Sequence, residues 1–84
     1  MEYEVEFRTK ATKDLHRLSP EVARRILAKV AVLRQDLSGD VKHLIHFTPE
    51  YRLRVGDYRV LFNLAGLRIV IHRVRHRSEA YDSP

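Results

Sequence analysis

The chain has 84 residues, no cysteine and no apolar run near the roughly 18 residues a membrane span needs, which excludes disulfide scaffolds, thiolate metal sites and helical membrane anchors. Its net charge of +5 is unevenly placed: residues 1–50 hold 9 basic and 8 acidic residues, while residues 51–84 hold 7 arginines, no lysine and 3 acids. The excess is therefore guanidinium, the group best shaped for bidentate phosphate contacts, and an anionic partner such as RNA or DNA is favoured over a membrane. A single domain over 1–84 is expected, soluble and cytoplasmic, and short enough that a covering partner would add to its core.

Tyr3, Val5 and Phe7 alternate with Glu4 and Glu6, the pattern of a half-buried strand. Ala11, Leu15 and Leu18 recur at helical spacing, with Lys10, Lys13, Asp14 and Arg17 around them. Ser19-Pro20-Glu21 reads as the start of a second helix: a capping hydroxyl, a proline suited to the first turn, and an acid that complements the helix dipole. Its apolar stripe is Ile26, Val30, Leu33 and Leu37, with Ala23 and Leu27 beside it, and Ser38-Gly39-Asp40 is expected to end it. Residues 41–50 are expected to form an undivided loop. Three strands follow: Tyr51–Val55, then 58–63 across a Gly56-Asp57 turn, then 67–74 across a turn at 64–66. The order is strand, two helices, three antiparallel strands, an α+β domain with the helices on one face of the sheet.

A two-residue turn at Gly56-Asp57 places Val55 opposite Tyr58, Arg54 opposite Arg59, Leu53 opposite Val60 and Arg52 opposite Leu61. Tyr51, Leu53, Val55, Tyr58, Val60 and Phe62 then share the core face, and Arg52, Arg54 and Arg59 share the other. Like charges paired across strands destabilise a sheet, so two facing guanidinium groups point to an anion that lodges between them. On the last strand Ile71, Arg73 and Arg75 share one parity and Val70, His72 and Val74 the other. Arg73, Arg75 and Arg77 are expected to carry the basic line into the tail, with Lys42 joining it, and Tyr81 is placed to stack on a base. His76, between Arg75 and Arg77, is the candidate proton shuttle, since imidazole changes charge nearest neutral pH. His43 and His46 lie three apart, but without cysteines or a helix they do not suggest a metal site, and none is expected.

With these residues in view the chain resembles the RelE/ParE toxin superfamily. The resemblance spans nearly all 84 residues: the first strand, the AxxDLxxLS helix at 11–19, the second helix, YRLRVGDYRVLF at 51–62 and VIHRVRHRSEAY at 70–81, in that order. It implies the toxin of a type II toxin–antitoxin pair which, in the RelE-like branch, enters the ribosomal A site and cuts mRNA without metal or cofactor. The implied reaction is attack of a ribose 2′-hydroxyl on the adjacent phosphate. By position the resemblance assigns Arg52, Arg54, Arg59 and Arg75 to the phosphate and Tyr81 to the mRNA base, with Arg77 as the arginine of the tail motif. The family pattern carries lysine where this chain has Arg52 and Arg54. Arginine stabilises a phosphorane but does not act as a base, so the general base is left to His76 or to ribosomal RNA. A ParE-type gyrase poison, or a weakened toxin that only binds its antitoxin, are the alternatives. The implied partners are a cognate antitoxin, the ribosome and mRNA, with operator DNA reached only through the antitoxin.

Overall fold

A computed structural model describes residues 2–79. In chain order the elements are β1 (Glu4–Phe7), α1 (Thr9–His16), α2 (Pro20–Leu33), β2 (Val41–His43), β3 (Tyr51–Val55), β4 (Tyr58–Ala65) and β5 (Arg68–His76). The strands form one sheet in the order β1-β5-β4-β3-β2. β1 runs parallel to β5, and every other neighbouring pair is antiparallel. No helix among the described residues is long and apolar enough to cross a membrane.

The hairpin register is the expected one, pairing Val55 with Tyr58, Arg54 with Arg59, Leu53 with Val60 and Arg52 with Leu61. Alternation then sends Leu53, Val55, Val60 and Phe62 into the core, where they meet Ile69, Ile71 and Val74 of β5. Ile26, Val30 and Leu33 of α2 close this core from above, joined by Ala11 of α1. Ser19 caps α2 by accepting from Val22 N–H at 3.4 Å, and Pro20 opens the first turn.

Four expectations need correction. Residues 41–50 are not all loop: Val41–His43 pairs with β3 as an edge strand. α2 stops at Leu33, short of Ser38-Gly39-Asp40, because Arg34 O takes the Tyr3 N–H and Gln35 bridges to Glu2, so the chain leaves the helix to pair with the N-terminal segment. The parity of β5 changes midway. Ile71 pairs with Phe62 but Arg73 with Leu61, so His72 is an extra residue, and Val74 rather than Arg73 continues the core face. Asp14, read as one of the polar residues around the apolar positions of α1, is buried at 9% exposure.

Asp14 has a structural task. β1 covers only the first half of β5, pairing Arg68 to Ile71, and α1 lies against the remainder. There the Asp14 carboxylate accepts the Val74 N–H at 2.9 Å, a ladder amide that no strand reaches. The same carboxylate accepts from Arg73 Nε at 2.9 Å and Nη2 at 3.0 Å, a bidentate pair that clamps β5 to α1.

Candidate RNA-binding face

The sheet has a core face and an opposite face, and cross-strand partners share a face. On the opposite face Arg54 of β3, Arg59 of β4 and Arg75 of β5 are successive partners and form one row across three strands. The adjacent row is Lys42, Arg52, Leu61 and Arg73. Beyond β5 the Arg77 N–H is held by Asp57 O at 2.7 Å, which brings the tail alongside the β3–β4 turn.

Arg59 is the centre. Its Nη1 donates to Gly56 O and to Tyr58 O, both at 2.9 Å, so its head is fixed beside the turn. Its Nε is buried and has no hydrogen-bond partner among the described residues. Burial, then the charges of Arg52, Arg54 and Arg77, push the Arg59 guanidinium below its ordinary value, with Asp40 opposing weakly. The cause matters more than the shift, because Arg59 stays charged. The cationic form sits in a field of like charge, which a bound anion would relieve.

The other arginines carry loose partners. Arg54 Nη1 lies 3.8 Å from Asp40 Oδ2, with both side chains more than half exposed. Arg75 Nη2 lies 4.0 Å from Glu79 Oε2. Exposed pairs of this kind contribute little and exchange readily for a stronger anion. Arg73 is different. Its hydrogen bonds to Asp14 raise its pKa against the opposing effect of burial, and two of its nitrogens are committed to holding β5 rather than to a ligand.

Arg52, Arg54, Arg59, Arg75, Arg77 and Lys42 thus share a face. His76 does not. It pairs with Tyr58 on the core side, with its ring edge-on to Tyr58 at 5.5 Å and 89°. Its Nδ1 accepts from Ser78 N–H at 3.2 Å and lies 2.9 Å from Ser78 Oγ. By register His76 lies on the core side, but β1 does not cover this half of β5, and at that edge His76 lines one cavity with Arg73, Arg75 and Glu79. Tyr81 lies outside the described residues. The residues that sequence reasoning missed are Asp14, Asp40 and Glu79. Asp14 was detectable in principle, because it shares the inward stripe of α1 with Ala11 and Leu18.

A small α+β domain that presents a row of guanidinium groups on one sheet face has the charge and shape that suit a polyanion, and the comparisons with known proteins narrow the class. The model of the ParE toxin family of type II toxin–antitoxin systems matches residues 5–81. The chain belongs to this family, within the RelE/ParE superfamily, and is the toxin of a type II pair. It is 32% identical over 75 residues to Toxin RelE3 of Methanocaldococcus jannaschii, covering 83% of this chain and 85% of that one. Its fold is similar to a chain of the RelB–RelE antitoxin–toxin complex from Methanococcus jannaschii, with a TM-score of 0.74, 29% identity, and coverage of 90% of this chain and 94% of the other. A chain of the RelE–RelB complex from Pyrococcus horikoshii is similar at a TM-score of 0.73 and 29% identity, covering 95% of this chain and 100% of that one.

Proposed function

We propose that this toxin is a ribosome-dependent mRNA endonuclease of the cytoplasm, cutting in the A site without metal, and that a cognate antitoxin silences it by covering the arginine face. The observation that carries the reading is the row Arg54, Arg59 and Arg75, with Arg52 and Arg77 converging on Arg59. A scissile phosphate seated there gains charge as the ribose 2′-oxygen attacks phosphorus, and guanidinium groups fixed before the reaction stabilise that charge. The P–O5′ bond breaks, leaving a 2′,3′-cyclic phosphate on one fragment and a 5′-hydroxyl on the other. The 2′-hydroxyl proton leaves to a base outside the arginine row, since no guanidinium takes it at neutral pH. The ribosome is the natural supplier, which accounts for dependence on it. Tyr81 stacks on the mRNA base. The antitoxin is acidic where it meets the row, and operator DNA is engaged through the antitoxin. No membrane takes part.

The test adds purified toxin to ribosomes stalled with a programmed A-site codon and maps the RNA ends. Wild-type protein should cut within the codon and leave cyclic phosphate ends. Arg59→Ala and Arg75→Ala should each lose on the order of 10²–10³ in rate with circular dichroism unchanged. Full cleavage by both variants would remove the arginine row from the mechanism.

A second reading is favoured by one finding, that the matching family model is that of ParE. A gyrase poison would leave A-site mRNA intact and raise double-strand breaks in induced cells. The two outcomes are exclusive within one experiment that scores both mRNA ends and DNA breaks.

A further inference from the structure

The junction of β1 and α1 holds a cavity of about 520 Å³ lined by Arg8, Thr9, Lys10, Pro49, His72 and Arg73. Three of these are cations, and no carboxylate lines it. We propose that this cavity is a second phosphate site, which seats the RNA backbone next to the one held by the arginine row. The proposal rests on the RNA reading above and extends it to residues that reading does not use.

The charge in the cavity is available. The Lys10 and His72 side chains make no hydrogen bond or ion pair among the described residues. Arg8 has only Glu6 at 3.9 Å, with both side chains largely exposed. Arg73 spends Nε and Nη2 on Asp14, which fixes its plane and leaves Nη1 without a partner among the described residues. The bulge makes the arrangement possible. Because the bulge adds His72 between Ile71 and Arg73, His72, next to buried Ile71, and Arg73, next to buried Val74, both fall on the side away from the core and line the cavity together. Arg8 N–H binds Ile71 O at 2.9 Å, which ties the start of α1 to the bulge. The helix end adds to what the side chains define: Arg8 supplies no side-chain cap, and the first turn of α1 contains no acid.

Position supports continuity with the clamp. Arg73 lies in the row of Leu61 and Arg52, so the cavity sits at the outer end of that row, roughly 10 Å from β3 at two strand spacings. A strand of RNA crossing the sheet from β3 toward the β5 edge passes from the arginine row to the cavity without leaving basic surface. The ligand is one phosphodiester group with its two unesterified oxygens, taken by Lys10, Arg8 and the free edge of Arg73, with His72 as a further donor.

Fluorescence anisotropy with non-cleavable 2′-O-methyl RNA tests this on the full chain, using a trinucleotide and a strand of about 10 nucleotides. The Arg8→Ala/Lys10→Ala variant should bind the longer strand about tenfold more weakly, with a salt slope smaller by about 0.7 per phosphate lost, and bind the trinucleotide as wild type does. His72→Ala, which leaves the helix end intact, should show a smaller loss on the longer strand alone. Unchanged affinity and slope on the longer strand, or equal losses on both lengths, would overturn the second site. Arg59→Ala separates the two readings. It should weaken both lengths, and if it binds both like wild type the RNA reading fails and the second site fails with it. If Arg59→Ala weakens binding while the cavity variants do not, only the second site is lost.

Discussion

Replacing Asp14 by alanine should cost more stability than any other single change at a charged residue of this chain. The carboxylate is 9% exposed and satisfies three donors, the Val74 N–H and two nitrogens of Arg73. Its removal leaves a ladder amide unpaired in the interior, at about 1–3 kcal/mol. It also strands the Arg73 guanidinium, whose side chain is 32% exposed and so partly recovers through water. The full penalty for breaking a buried pair, about 3–5 kcal/mol, is therefore reduced, and a total of about 2–3 kcal/mol is expected. For a domain of this size that lowers Tm by roughly 10–20 °C. The pH dependence identifies the cause. Burial alone would raise the Asp14 carboxyl, but the Arg73 and Val74 hydrogen bonds, with the charges of Arg73 and Arg75, outweigh it and hold the carboxyl below its ordinary value. A depressed folded-state pKa contributes stability that is complete above the unfolded value of about 3.9 and is lost as pH falls through the folded value. Urea unfolding of wild type and Asp14→Ala should thus differ by a constant amount from pH 7 down to about pH 5, and the part of the gap due to ionisation should shrink below about pH 4. A difference under about 0.5 kcal/mol at pH 7, the size of an ordinary surface change, or one that does not narrow in acid, would refute the anchor.

Gly56→Ala should destabilise by about 1–2 kcal/mol, because φ is +58° and a Cβ there would lie 2.9 Å from Arg25 Nη2; an unchanged Tm would show that the turn relaxes freely. Ile26→Ala, at a fully buried position of α2, should cost about 2–5 kcal/mol in chemical denaturation, and a loss below 1 kcal/mol would remove α2 from the centre of the core. Added salt should stabilise the wild type by screening Arg59 from Arg52, Arg54 and Arg77, and Arg59→Gln should respond less. Equal salt slopes for the two proteins would mean that the arginine row carries no strain.

The hairpin was legible because its information is local. Gly56-Asp57 sets the turn, strict alternation sets the faces, and together they fix the register that pairs Arg54 with Arg59. The capped start of α2 was legible for the same reason, with Ser19 and Pro20 acting within one turn. What escaped depends on contacts far apart in sequence. The bulge at His72 arises where β5 meets β4, and nothing in residues 70–75 marks it, so Ile71 was given the same parity as Arg73 and Arg75, and Val74 that of Val70 and His72. Asp14 read as a surface residue because an acid on a short helix usually is one; only the unpaired Val74 amide, sixty positions away, explains its burial. β2 is three residues long, too short for a period to register. His76 alternates with Arg75 along the strand, and what brings the two to one cavity is the edge left where β1 ends, a contact that adjacency in sequence does not show.

The distribution of acids around the arginines separates what holds the fold from what the proposed function assigns to a ligand. Three guanidinium groups in cross-strand register oppose folding, and a sheet shaped for stability alone would alternate their sign. Here the acids stand at the ends of the row instead. Asp40 meets Arg54 at 3.8 Å, both exposed, and Glu79 meets half-buried Arg75 at 4.0 Å, and both contacts are weak. Arg59, in the middle, receives only carbonyl oxygens. On the proposed reading, a phosphate at the centre displaces no strong contact and relieves the repulsion among the guanidinium groups of the row. Among the described residues the one bidentate carboxylate–guanidinium pair, Asp14 with Arg73, is set a row away and at the sheet edge, where it fixes β5 and with it the position of Arg75. Stability is thus concentrated in the two Arg73 nitrogens that face Asp14, outside the row of Arg54, Arg59 and Arg75, so the row itself is not needed to hold β5 in place.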